Sequence, residues 1–161
     1  MPAAIEDYAI IGNCETAALV ARNGSIDWLS IPRFDAAACF AALLGTPENG
    51  RWLIAPSAPD ARITRKYREG TLVLETHFET TEGAVVLIDC MGRRHDGSDL
   101  VRLVRGLRGR VPMRLELIIR FEYGSIVPWV THLEDGRLIA VAGPDRLTLA
   151  TPLKLHGENM R

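Results

Sequence analysis

Val111-Pro112-Met113-Arg114-Leu115-Glu116-Leu117-Ile118-Ile119-Arg120-Phe121-Glu122-Tyr123 alternates with period two. Val111, Met113, Leu115, Leu117, Ile119, Phe121 and Tyr123 fall on one side. Pro112, Arg114, Glu116, Ile118, Arg120 and Glu122 fall on the other. A helix would scatter the apolar residues around its axis, whereas a strand gathers them on one face. Burying that face is worth about 1.5–3 kcal/mol for each large side chain. Pro112 suits the start of a strand, where its missing N–H matters least. The charged face reads as solvated or packed against a neighbouring element.

The same rhythm runs outward from this stretch. Leu72, Leu74, Thr76 and Phe78 alternate with Val73, Glu75, His77 and Glu79, and Thr80-Thr81-Glu82-Gly83 leads into Ala84-Val85-Val86-Leu87-Ile88. Two runs joined by a short Gly-containing loop predict a β-hairpin. Its second strand is apolar on both faces, which suits a central position between layers. Further strands are predicted near 8–12, 17–22, 26–31, 51–54, 62–68, 99–107, 128–133, 137–142 and 146–155. Asn23-Gly24, Asp96-Gly97, Asp135-Gly136 and Gly143-Pro144-Asp145 supply the turns between them. One segment reads as helix: Asp35 at an N-cap, Ala36 to Leu44 alanine-rich, Gly45 as the stop. The expected fold is all-β, a large antiparallel β-sandwich with one short helix near 36–44. A single domain over 1–161 is expected. It stops abruptly after Leu155, which predicts a shortened sandwich with an adhesive strand edge.

The chain has 161 residues, 47% apolar and 24% charged, with 19 basic and 20 acidic side chains and a net charge of −1. That balance gives no pull toward nucleic acid or an anionic membrane. No apolar run reaches the roughly 18 residues of a membrane span. The opening Met1-Pro2-Ala3-Ala4-Ile5-Glu6-Asp7 lacks a basic and apolar signal pattern, which predicts a cytoplasmic protein. Cys14, Cys39 and Cys90 form no CxxC pair, so reduced, mostly buried thiols are expected.

Chemistry is sparse. His77, His95, His132 and His156 show no metal-ligand spacing, and no metal or other cofactor is expected. His95 with Asp96 and Asp99 reads as a cation site or, more simply, a solvated loop tip. Arg102, Arg105, Arg108 and Arg110 read as an anion site or as an exposed strand face and turn. Glycosidases need a pair of carboxyls, and the local candidates sit beside aromatic rings: Asp27 next to Trp28, Asp35 next to Phe34. Trp28 stacking on a sugar, with Arg33 and Asp35 bonding its hydroxyls, is one reading. A core Trp28 and Phe34, with Arg33 and Asp35 paired at a helix start, is the other. Trp52 and Trp129 read as packing or interface residues.

Gly24-Ser25-Ile26-Asp27-Trp28-Leu29-Ser30-Ile31-Pro32-Arg33-Phe34-Asp35 carries a wider likeness. So do Ile5-Glu6-Asp7-Tyr8, Phe40-Ala41-Ala42-Leu43-Leu44-Gly45, Asn49-Gly50-Arg51-Trp52, Tyr67 to Thr76, Leu87-Ile88-Asp89, Arg108 to Met113, Arg120 to Gly124 and Val127-Pro128-Trp129. In order and spacing the chain resembles the N-terminal domain of bacterial glucoamylase- and trehalase-like proteins of glycoside hydrolase family 15. The resemblance implies a supersandwich-like β-domain placed before an (α/α)6 barrel. That barrel carries the two catalytic glutamates of an inverting α-glucosidic hydrolysis. Nothing here resembles the barrel, so no catalytic residue carries over. The implied role is to pack on and support it, with Trp28, Arg33, Phe34 and Asp35 as candidates for a rim or interface near trehalose or an α-glucoside. A free-standing carbohydrate-binding or oligomerising module is the alternative. Two positions depart from the family: Asn13 stands where Asp is usual, and Ala36 where Ser is frequent.

Overall fold

The computed structural model describes residues 3–94 and 97–157. Among these, 13 strands fall into three antiparallel sheets. In the first, β1 (Tyr8–Gly12), β2 (Ala17–Ala21), β3 (Ser25–Ser30), β5 (Arg51–Pro56) and β10 (Met113–Ile118) lie in that order, with β4 (Ala38–Phe40) beside β3. The second runs β6 (Arg62–Tyr67), β7 (Leu74–Glu79), β8 (Gly83–Arg94), β9 (Gly97–Gly109). The third is a meander of β11 (Trp129–His132), β12 (Leu138–Ala142) and β13 (Asp145–Leu149). The all-β, sandwich-like architecture is as expected from the period-two pattern.

Two apolar clusters bind the layers. Ile54 of β5 meets Phe78, Val85 and Leu87 of the second sheet, with Trp52, Met113 and Leu115 packed against them. A larger cluster joins Ile11, Val20, Ile26, Leu29, Phe40, Leu74 and Phe121, and Ala142 and Leu147 of the third sheet close on it. The doubly apolar run of β8 has the central place its sequence predicts: Val85 to Ile88 are all buried, between β7 and β9.

The helix expected near 36–44 is absent. Ala38–Phe40 is strand β4, pairing Phe40 with Leu29 and Ala38 with Ser30, and Ala42–Leu44 is a single 3-10 turn. Ala38, Cys39, Phe40 and Ala41 are all 3% exposed or less, so both faces of this segment are buried. The small side chains let it lie flat against β3, and tertiary packing overrides alanine's helix propensity. The Cys39 thiol donates to the Leu29 carbonyl, and burial pushes its pKa up to about 12. Asp35 caps no helix; its carboxylate accepts from Arg33 instead.

Two strands are shorter than their sequence patterns. β10 ends at Ile118, opposite Arg51, where β5 begins and the ladder has no further partner. The chain then turns through Glu122 and Tyr123 at φ of 50° and 57°. Ile118, assigned by parity to the charged face, is fully buried, and Arg120 is largely buried beside it. β13 ends at Leu149 rather than 155. Pro152 follows, which lacks an N–H to extend a ladder.

Candidate functional site

The corner that follows β3 is fixed from several sides. Ser98 Oγ donates to the Pro32 carbonyl at 3.1 Å, and the Phe34 N–H donates to the Glu15 carbonyl at 3.0 Å. Thr16 Oγ1 donates to the Ser30 carbonyl. Asn13, only 7% exposed, ties these pieces together. Its side-chain carbonyl accepts from the N–H groups of Glu15 and Thr16 at 3.1 and 3.0 Å. Its amide donates to the Gly92 carbonyl at 3.2 Å and to Ser98 Oγ at 3.0 Å. An Asp at this position would have no amide hydrogens to give, so Asn13 makes contacts that Asp cannot.

Asn13→Asp is therefore expected to cost about 1–3 kcal/mol, the range for a buried polar contact left unmade. Facing the Gly92 carbonyl, the new carboxyl would have its pKa raised above the unfolded value of about 3.9. The cost is present above that value and fades as pH falls, because a protonated carboxyl donates again. Urea midpoints of both proteins measured from pH 7 to pH 4 should converge at the acid end.

At the corner itself, Arg33 Nε donates to Asp35 at 2.9 Å and Arg33 Nη2 donates at 3.3 Å, with both side chains over 70% exposed. The hydrogen bond from Arg33 is the main cause that holds the Asp35 carboxyl below its ordinary range. Phe34 stands between them, 62% exposed. The expected pairing of Arg33 with Asp35 is present, but the core position considered for Phe34 is not. Trp28 is half-buried and leans on Tyr123, with ring centroids 6.1 Å apart and planes tilted by 39°. Arg33, Phe34 and Asp35 thus form one exposed group whose backbone is anchored at Pro32 and Phe34.

Asp27 is not available to a sugar. It is 8% exposed, accepts from the Tyr8 hydroxyl at 2.7 Å, and accepts from Ser25 Oγ. Burial first, and that hydrogen bond second, raise the Tyr8 pKa, so the phenol stays a donor.

The arginine cluster divides. Arg102 is neither part of an anion site nor on an exposed face. Its side chain is wholly buried and pairs with equally buried Asp89, directly across the β8–β9 ladder. Nε reaches Asp89 Oδ1 at 2.8 Å and Nη2 reaches Oδ2 at 3.2 Å. The same guanidinium donates to the carbonyls of Gly24, at 2.6 Å, and Trp52, and lies 5.3 Å from the Trp52 ring centroid. Four of its five N–H donors are held by protein atoms and the side chain has no exposed surface, so it is closed to a ligand. Arg105, Arg108 and Arg110 are exposed, as the plainer reading expected. The available sequence signal was Asp89 itself: a carboxylate closing the apolar run Val85 to Ile88 requires a buried cation nearby.

Trp129 is 86% exposed on β11, and Trp52 packs between the layers. His95 and Asp96, the core of the suggested cation cluster, lie outside the described residues. No helix among the described residues is long and apolar enough to cross a membrane.

Comparison with known proteins gives the family. The model of a family described as "Trehalase-like, N-terminal" matches residues 1–154. A trehalase of Mycobacterium tuberculosis is 29% identical over 98% of this chain, but the match covers 27% of that protein. Trehalase 2 of Sulfolobus acidocaldarius is 30% identical over 81% of this chain and 21% of its own length. A trehalase of Mycolicibacterium smegmatis is 35% identical over 57% of this chain and 14% of its own. The chain therefore spans about a quarter or less of these relatives. No solved structure matches it. The chain belongs to the trehalase-like N-terminal domain family.

Proposed function

We propose that this chain is the non-catalytic β-domain of a cytoplasmic, trehalase-like enzyme of glycoside hydrolase family 15. In this reading it packs on and supports an inverting α-glucosidase barrel of (α/α)6 type that lies outside the chain. One observation carries the reading: the family match fills the chain, while the chain fills only 14–27% of the trehalases named above. The Arg33–Asp35 corner supports it physically. A fixed ion pair offers hydrogen bonds to a docked carbonyl or sugar hydroxyl, and the exposed Phe34 ring beside it offers an apolar contact.

Adding the chain to the remaining part of the M. tuberculosis trehalase tests this directly. The expected result is association, with slower thermal inactivation of trehalose hydrolysis; no association overturns the reading. Arg33→Ala and Asp35→Ala remove an exposed pair, which contributes little to folding. Both variants are expected to keep the unfolding midpoint of the chain and to weaken the association several-fold.

Exposed Trp129 favours a second reading, a carbohydrate-binding face. Calorimetry with maltooligosaccharides separates the two. Heat of binding that disappears in Trp129→Ala would support the second reading; no heat removes it.

A further inference from the structure

The sheet edges of this domain differ in how their open backbone is treated. On edge strand β1, the Tyr67 hydroxyl occupies both groups of Ile10, accepting from its N–H at 3.0 Å and donating to its carbonyl at 2.8 Å. Edge strand β6 carries Arg62, Arg65 and Lys66. Charges and covered backbone are the usual guards against stray strand pairing.

β9 is treated differently. It has 13 residues, longer than the usual 3–10 or so. In an antiparallel ladder alternate residues turn N–H and C=O away from the partner. Among the described residues, no backbone hydrogen bond reaches the side of Leu100–Arg108 that faces away from β8. Leu100 and Arg102 turn one face of β9 inward, but past them apolar side chains stand open on both faces: Val104 on that face is 47% exposed and Leu103 on the other 55%. An exposed strand normally shows an apolar face to the core and a polar face to water; two apolar faces belong to a strand with neighbours. Arg105 and Arg108 stand on the same stretch, and Arg108 has only a long contact of 3.4 Å to exposed Glu79. Pairing β9 with its own copy in a register centred between Arg105 and Arg108 would set these arginines opposite one another, which is unfavourable.

We propose that β9 takes up an additional strand, supplied by the part of the longer trehalase-like protein that lies outside the matched region. That strand would carry carboxylates opposite Arg105 and Arg108 and apolar residues opposite Val101, Leu103 and Val104. The inference rests on the supporting role proposed above. Main-chain hydrogen bonds along the open edge supply affinity, and the side-chain pattern sets register.

The test uses the whole chain and two synthetic nine-residue peptides of Val, Ile and Thr, one with two Glu and one with Lys in their place. Amide hydrogen exchange is read by mass spectrometry. The Glu peptide is expected to slow exchange within residues 100–108 at least tenfold, and the Lys peptide to leave it unchanged at the same concentration. The surface variant Arg105→Glu/Arg108→Glu is expected to reverse that preference. Equal protection by both peptides, protection by neither, or light scattering that finds copies already joined through β9 would overturn the proposal. Mixing with the remaining part of the M. tuberculosis trehalase separates this proposal from the supporting role. A complex in which β9 exchanges as before refutes strand capture alone. Failure to form any complex refutes the supporting role and, with it, the proposed source of the strand.

Discussion

Arg102→Ala is expected to destabilise the domain by about 3–5 kcal/mol, the range for breaking a buried ion pair by removing one partner. A domain of this size holds roughly 5–15 kcal/mol in total, so the variant should sit near the edge of unfolding. The effect is large because one guanidinium serves three buried acceptors. Without it, the Asp89 carboxylate stays in the interior with no cation, the Trp52 carbonyl loses the guanidinium bond, and the Gly24 carbonyl is left with the longer bond from the Ile54 N–H at 3.3 Å. Trp52 lies in β5 of the first sheet, Gly24 in the turn joining its β2 and β3, and Arg102 in the second sheet, so the loss also loosens the joint between layers. Urea unfolding should show a lower midpoint with an unchanged slope. The double variant Asp89→Leu/Arg102→Met should recover much of the loss, because an apolar pair leaves no uncompensated charge. A single variant as stable as the parent would show that the ion pair is dispensable.

Gly24→Ala is expected to cost about 2–4 kcal/mol, within the tail of measured single-site effects that strain and overpacking produce. Gly24 has φ of +85°, and a methyl group there would meet the Ile54 carbonyl at 2.3 Å and the Phe78 ring at 3.2 Å. The turn has no slack. Asn23 accepts from the Ser25 N–H at 3.0 Å, the Gly24 N–H donates to the Ala21 carbonyl, and the Gly24 carbonyl takes the Arg102 bond. Gly136 supplies the control: it has φ of +83° and open space around its missing methyl. Gly136→Ala should therefore show the backbone cost alone, about 1–2 kcal/mol. The difference in thermal midpoint between the two variants isolates the clash.

Period-two alternation made the strands legible, because a strand's two faces see different surroundings along its whole length. It placed β1, β2 and β12 within a residue of their observed bounds. It failed where burial was two-sided. Ala38 to Ala41 are small and enclosed, so their sequence carries no facial contrast, and composition pointed to helix. Alternation also continued past Ile118, although the ladder ended there. At the corner, the pairing of Arg33 with Asp35 was legible from their spacing. The support from Asn13, Glu15 and Ser98 was not, since Ser98 comes from a hairpin distant in sequence. Arg102 was the largest omission: within Val101-Arg102-Leu103-Val104-Arg105 it looks like the other arginines. Only the register that sets it against Asp89 separates it from them.

Glucose release from trehalose by the purified chain is the most direct test of the claim that it is a scaffold rather than a catalyst. The expected rate equals that of buffer, at any pH from 4 to 8 (about the span over which carboxyl and imidazole groups titrate). Hydrolysis above that background, retained through purification and abolished by substitution of a residue in this chain, would contradict the account.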